Sequence, residues 1–246
     1  MLIALMTDLH SNREAFSACL TMRGRGGAER FVFLGDYVGY GADPVWVVET
    51  LIDLVGQGAI AVRGNHDAAA LGAPERMNDM AAAAIVWTQT QLSETAKAFL
   101  AKLPLTVEED DRLYVHADAS APEKWRYVTD ALTARTSLEA SDARLIFSGH
   151  VHVPALYGLS SIGKMVVFTP TAGQPVPLLP PRRWLGLIGS VGQPRDGNPA
   201  AAYALYDTRT ADLMTQRVPY YIAAAADKIR AAGLPALLAD RLFRGQ

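Results

Sequence analysis

Three short apolar runs within the first 65 residues each stop abruptly at polar side chains, with helical segments between them. Residues 2–7 end at Asp8-Leu9-His10, Phe31-Val32-Phe33-Leu34 ends at Gly35-Asp36, and residues 59–63 run into Gly64-Asn65-His66-Asp67. Apolar runs of this length bounded by turn residues read as buried strands. Ser11-Asn12-Arg13-Glu14 has the spacing of a capping box and predicts a helix over 12–22, with Arg23-Gly24-Arg25-Gly26-Gly27 as a surface turn. Asp43-Pro44 predicts an N-cap followed by proline in the first turn of a helix through Val55. Strand, helix, strand, helix, strand predicts parallel crossovers in a layered α/β fold, where ligands collect beyond the carboxyl ends of strands. Asp8, His10, Asp36, Asn65 and His66 all map to that edge.

The rest of the chain continues the pattern. Helices are predicted over 78–91 and from Ser93-Glu94 through Ala101, then a hairpin of 105–108 and 112–115 around Glu109-Asp110-Asp111, read as a solvated tip. The second hairpin strand ends at His116. A short helix at 130–140 precedes the strand Arg144-Leu145-Ile146-Phe147, which stops at Ser148-Gly149-His150-Val151-His152. Further strands are expected at 155–159, 164–169, 202–207 and 212–218, with the Pro-rich Thr169–Pro181 as a loop. A helix over Tyr220–Ala232 and a short helical tail close the chain. No repeat and no linker divides it, so residues 1–246 are expected to form one domain.

Composition narrows the function. Half of the 246 residues are hydrophobic and a fifth are charged, the balance of an ordinary globular protein able to bury a large core. The net charge of -2 offers no basic field for duplex nucleic acid. An anionic substrate therefore needs local help from a metal or a placed arginine. No segment has the length of a membrane span, and the N-terminal apolar run meets Asp8 too early for a signal peptide. The single Cys19 suits a reducing compartment, and the cytoplasm is the expected location.

The five histidines, at 10, 66, 116, 150 and 152, all fall at or just beyond the carboxyl end of a predicted strand. Imidazoles and carboxylates gathered on one sheet edge form the pattern of a metal cluster. In Asp8-Leu9-His10 and His150-Val151-His152 the polar side chains are two residues apart, so on extended backbone they point the same way and could chelate. His, Asp and Asn without Cys suit divalent Mn, Fe or Zn. Seven candidate ligands exceed the needs of one ion. Two ions sharing a carboxylate, about 3.5–4 Å apart, would clamp the attacking and leaving oxygens of phosphoryl transfer.

In this set the sequence resembles the calcineurin-like metallophosphoesterase superfamily: Asp8-x-His10, Gly35-Asp36, Gly64-Asn65-His66-Asp67, His116 and Gly149-His150-x-His152 occur in the family's order. Gly189-Ser190-Val191-Gly192-Gln193-Pro194-Arg195 resembles a bacterial subgroup of phosphodiesterases and diadenosine tetraphosphatases, although Leu187-Ile188 stands where that subgroup usually has Asn-Pro. The resemblance implies a layered α-β-β-α sandwich of mixed sheets. It also implies Asp8, His10 and His152 as ligands of one metal, Asn65, His116 and His150 as ligands of a second, and Asp36 as the bridge. His66 would serve the leaving group by donating a proton or stabilising the transition state, and Asp67 would orient His66 or its loop. The implied reaction is hydrolysis of a phosphodiester, phosphomonoester or dinucleoside polyphosphate by a metal-bridging hydroxide.

Three further residues are candidates for substrate contact: Arg195 for phosphate oxygens, Tyr37 for stacking together with Tyr40, and Asn12, which helix capping explains nearly as well. The expected partner is a small phosphorylated molecule such as a nucleotide. Two alternatives stand beside this reading: a protein serine/threonine phosphatase, and a non-catalytic scaffold like the retromer subunit with the same fold, which lacks the full histidine pattern.

Overall fold

The computed structural model describes residues 1–72 and 77–246, with side chains outside 22–26. β1 (Leu2–Met6), α1 (Arg13–Gly26), β2 (Arg30–Phe33), α2 (Pro44–Gly56) and β3 (Ile60–Ala61) follow in the predicted order. β2 pairs in parallel with both β1 and β3, so α1 and α2 are crossovers. Two local details differ from expectation. α1 runs through the anticipated turn to Gly26 and stops where Gly27 adopts φ 68°. Its cap is Asn12, whose Oδ1 accepts the Ala15 N–H at 3.1 Å, so the Ser11 capping box is not formed. Asp43 occupies the N-cap position of α2 without capping it, because its carboxylate accepts instead from Lys228 Nζ at 2.7 Å.

Next come α3 (Asn65–Ala69), α4 (Asp79–Gln91), α5 (Glu94–Lys102), β4 (Thr106–Glu109), β5 (Arg112–Val115), α6 (Ala131–Glu139) and β6 (Leu145–Ser148). β7 (Ala155–Ser160), β8 (Met165–Phe168), β9 (Pro175–Pro177), β10 (Arg182–Leu187), β11 (Ala201–Asp207), β12 (Asp212–Val218), α7 (Ile222–Ala231) and α8 (Ala236–Arg244) complete the chain. β9 and β10 are absent from the sequence reading. β9 is an edge strand, where proline is tolerated. β10 lies inside its sheet, parallel to β6 and antiparallel to β7. The acidic turn after β4 is exposed at Asp110, and it is also tied down, since the buried Arg112 pairs with Glu109 and Asp110 and Arg144 Nε reaches Asp111 at 2.7 Å.

The strands form two six-stranded mixed sheets, ordered β3-β2-β1-β11-β12-β9 and β4-β5-β6-β10-β7-β8. Alternation along the strands explains the layering. Ile3 and Leu5 of β1 face Tyr114, Leu145 and Phe147 of the second sheet, while Ala4 and Met6 face Phe16, Cys19 and Val48 of the outer helices. Ile146 and Val115 point the other way, onto Ala134 and Leu138 of α6. Strands buried on both faces read as unbroken apolar runs, and each fully buried Leu, Ile or Phe contributes roughly 1.5–3 kcal/mol. The result is one α-β-β-α domain. The α7–α8 hairpin packs through Ala225, Ile229, Leu238 and Leu242 onto Ala81 and Ala84 of α4 and onto Tyr40, beside the carboxyl edge of the first sheet. Among the described residues, no helix is long and apolar enough to cross a membrane.

Candidate metal centre

Loops leaving β1, β2 and β3 of one sheet and β5 and β6 of the other meet at the seam between the sheets and bring all seven predicted ligands together. Asp8, His10 and His152 offer donor atoms that lie within 4.8 Å of one another, and so do Asp36, His116 and His150. Asp36 Oδ2 stands between the two groups, 3.8 Å from His10 Nε2 and 3.3 Å from His116 Nε2. Asn65 Oδ1 joins the second group at 3.1 Å from His116 Nε2.

The backbone that delivers these side chains is not the extended one expected. Asp8, His10, Ser11, Asp36, Tyr40, His150 and His152 all have φ between 46° and 66°. Non-glycine residues held in the left-handed region cost about 1 kcal/mol or more each and concentrate at functional sites. Asp8 and His10 do converge, but through these bends. His150 and His152 instead diverge into separate groups. Two glycines make room: a Cβ on Gly64 would overlap the Asp36 carboxylate, and one on Gly149 would overlap Thr7 and crowd Asp8.

Hydrogen bonds fix the rings. His10 Nδ1 lies 3.1 Å from Val38 O, His116 Nδ1 2.7 Å from Leu34 O, His152 Nδ1 2.6 Å from Gln193 O, and His150 Nε2 3.0 Å from Trp125 O. A carbonyl only accepts, so each of these nitrogens carries its proton and the other nitrogen of each ring is turned to the centre. There His10 Nε2 and His152 Nε2 are 3.1 Å apart, and His116 Nε2 and His150 Nδ1 are 3.2 Å apart. Asp8 Oδ1, fully buried, has no hydrogen-bond partner and lies 3.1 Å from His152 Nε2. Inward-facing ring nitrogens and an orphaned carboxylate oxygen fit divalent cations, and the N and O donors suit Mn, Fe or Zn.

Charges within the site are strongly coupled. Burial works against the ionised carboxylates, yet His152 holds Asp8, and His116 with His66 holds Asp36, well below the usual range. Against its own burial, His116 is pushed up to about 9 by Asp36. Burial pushes His66 down to about 4, with Asp36 opposing, and burial with the His116 charge pushes His150 down to about 3.

Other expected residues divide clearly. His66 sits at the centre with Nε2 4.0 Å from Asp36 Oδ2, while its buried Nδ1 is unpartnered. Burial, which lowers His66 to about 4, favours the neutral ring near pH 7. Two roles are expected for Asp67, and its contacts among the described residues are to the loop of His66 and to a neighbouring loop, with none to the His66 ring. Its Oδ2 accepts from the Asp36 and Gly64 N–H groups, both at 2.9 Å, and its Oδ1 from Tyr37 and Val38 at 2.8 and 3.4 Å, clamping the Asp36 loop. Tyr37 does not face substrate: it is wholly buried, with its hydroxyl 2.5 Å from Val62 O and 3.0 Å from Phe33 O. Asn12 is likewise engaged, since beyond the cap its Nδ2 donates to Gly192 O at 2.9 Å. Arg195 remains near the site, with its backbone N–H on His152 O at 3.2 Å.

Sequence reasoning missed Tyr127, 53 % exposed and stacked on the His150 ring at 4.1 Å. The aromatic pair Trp125-x-Tyr127 in the stretch after His116 was the available signal. Tyr40, packed 4.5 Å from His10 and 4.6 Å from His66, forms the opposite wall.

Comparison with known proteins agrees with this architecture. The sequence profile of the calcineurin-like phosphoesterase superfamily domain matches residues 1–211. The chain is 35 % identical to the uncharacterized protein MJ0912 of Methanocaldococcus jannaschii, covering 100 % of this chain and 98 % of that protein. Among solved structures, a metallophosphoesterase from Sphaerobacter thermophilus is 34 % identical with a TM-score of 0.89, over 100 % of this chain and 99 % of the other. Hypothetical protein PH1004 from Pyrococcus horikoshii OT3 has the same fold at 19 % identity, with a TM-score of 0.80 over 100 % and 98 % of the two chains. The chain belongs to the calcineurin-like phosphoesterase superfamily and is a phosphoester hydrolase.

Proposed function

We propose that this protein hydrolyses a small phosphorylated substrate, a phosphodiester, phosphomonoester or dinucleoside polyphosphate, with two divalent ions held on either side of Asp36. The observation that carries the reading is the position of Asp36 Oδ2 between two buried donor groups, within 3.8 Å of His10 and 3.3 Å of His116. Asp8, His10 and His152 would hold one ion, and Asn65, His116 and His150 the other. Bound there, such ions supply an activated water as nucleophile and neutralise phosphate oxygens.

The chain's own residues do the rest. Asp67 accepts three backbone N–H groups of the Asp36 loop and that of Gly64 in its own, so the shared carboxylate is positioned before any ligand arrives. The Asp36 Oδ1 atom accepts the His66 N–H at 2.8 Å, tying the two residues' positions together. His66 is neutral, so it serves the leaving-group oxygen as an N–H hydrogen-bond donor and does not begin as a full acid. Tyr127 offers an exposed ring to an aryl or base group. The lone, buried Cys19 suits a cytoplasmic setting.

The test is hydrolysis of bis-p-nitrophenyl phosphate by protein loaded with Mn, beside phosphopeptides and dinucleoside polyphosphates. Turnover that needs added metal and vanishes with Asp36→Asn supports the proposal. An inactive protein that binds no metal would instead be a scaffold, and a marked preference for phosphopeptides would make it a protein phosphatase.

A further inference from the structure

On the far side of Tyr40 from His10 and His66 lies a cavity of about 370 Å³, lined by Tyr40, Asn78, Arg195, Leu237, Arg241 and Gln246. Its position is one aromatic ring away from the metal centre, because the Tyr40 ring contacts both histidines while its hydroxyl reaches the cavity. Arg195 and Arg241 both line it; no carboxylate side chain is among the described lining residues, and Gln246, the last residue, brings a terminal carboxylate. Among the described residues Arg195 donates to neutral acceptors, Tyr40 Oη at 3.3 Å and Gln193 Oε1 at 3.2 Å, and its buried Nε has no partner. Arg241 has no ion pair among the described residues, since the adjacent Asp240 is taken by Arg230 at 2.9 Å. Asn78 uses Oδ1 to cap α4, which turns its amide into a spare donor.

Two half-buried arginines beside a single carboxylate leave a net positive charge that favours a further anion. They are also unusual in a chain whose net charge is -2. Arg241 and Leu237 come from α8, beyond the residues 1–211 matched by the superfamily profile.

We propose that this cavity binds a second phosphate group of the substrate, and hence that the protein acts on phosphate esters carrying a further phosphate away from the scissile one. The inference rests on the reading of the metal centre as the seat of the scissile phosphate. Arg195 and Arg241 provide planar donors for the distal phosphate, Asn78 a neutral one, and Tyr40 sets the spacing between the two phosphates. A substrate with a single phosphate leaves this cavity without its anion and binds less tightly.

The experiment compares p-nitrophenyl alkyl phosphodiesters whose alkyl chain, in a series of lengths, ends in either a hydroxyl or a phosphate. Turnover is followed by nitrophenol release. In parallel, calorimetry on the Mn-loaded protein compares the corresponding alkanediol bisphosphates with monophosphates. At the best chain length the phosphate-terminated ligands should gain about tenfold in kcat/KM and in affinity, the scale of one charge-assisted contact. Arg241→Gln should remove most of that gain and Arg241→Lys should retain part of it. Equal treatment of the two ends by the wild-type protein at every length, or a gain untouched in Arg241→Gln, overturns the subsite while leaving the phosphoesterase reading intact. A gain in binding without any turnover keeps the subsite and removes the phosphoesterase reading.

Discussion

The Nε2 atoms of His10 and His152, brought from opposite sheets and separated by 142 positions in the chain, face each other at 3.1 Å. Each ring has its Nδ1 proton committed to a backbone carbonyl, so only a shared proton or a cation can lie between the two facing nitrogens. Binding a divalent ion should therefore stabilise the fold. At about 100 times its Kd an ion adds about 2.7 kcal/mol, a rise in melting temperature of roughly 5–10 °C for a domain of this size. Thermal unfolding with Mn or Zn, against chelator-treated protein, measures it; identical melting curves would contradict the assignment.

The metal-free protein should lose stability as pH falls from about 6.5 towards 4. Burial lowers His66 to about 4 and His150 to about 3, below the unfolded histidine value near 6.5. In that window the unfolded chain binds more protons than the folded one, so stability rises with pH there and is lost on acidification. Urea midpoints at pH 7.5 and 5.0 in chelator check it. A midpoint that does not fall, or that falls equally in the double variant His66→Gln, His150→Gln, would count against the buried neutral rings.

Replacing His66 with Ala should leave both metals bound and slow turnover most for poor leaving groups. Its ring approaches Asp36 at 4.0 Å and shares a third possible donor group with His10 and Asp36, but it lies outside the groups of Asp8 and of His150. The loss should reach roughly 10²–10⁴-fold for an alkyl ester and much less for a nitrophenyl ester, the span of general acid–base assistance. Equal losses on both esters, or loss of metal, would remove His66 from the leaving group.

Asp67→Ala should be more damaging to the fold than its distance from the metal donors suggests. It would strand the buried N–H groups of Gly64, Asp36 and Tyr37, each worth about 1–3 kcal/mol when unsatisfied. Chemical unfolding should show a loss of roughly 3 kcal/mol or more, accompanied by weaker metal binding. Unchanged stability would mean that the Asp36 loop holds itself.

Much of this site was legible because strand ends are easy to recognise: Asp8, Asp36, Asn65 and His116 each follow an apolar run that has to be a buried strand. What escaped is physical in kind. β10, with Arg182-Arg183-Trp184-Leu185-Gly186-Leu187, is buried towards its end and carries no period-two alternation, and it follows a proline-rich segment that reads as a loop. The left-handed backbone at Asp8, His10 and His150 leaves no mark in residue type, since these residues are held there by neighbouring contacts and not by propensity. Tyr37 looked exposed because it sits beside Asp36, yet the turn directs it into the core, and only three-dimensional packing tells it from Tyr40. The α7–α8 hairpin was predicted as helix, but nothing in its sequence says that Arg241 lines the same cavity as Arg195.

The central claim is that Asp36 joins two ions, and metal stoichiometry tests it most directly. Protein purified, stripped and reloaded with Mn should carry two ions per chain by elemental analysis, in line with the two donor groups flanking Asp36. Asp36→Asn should lower occupancy at both sites together. One ion per wild-type chain, or two fully occupied sites in Asp36→Asn, would contradict the account.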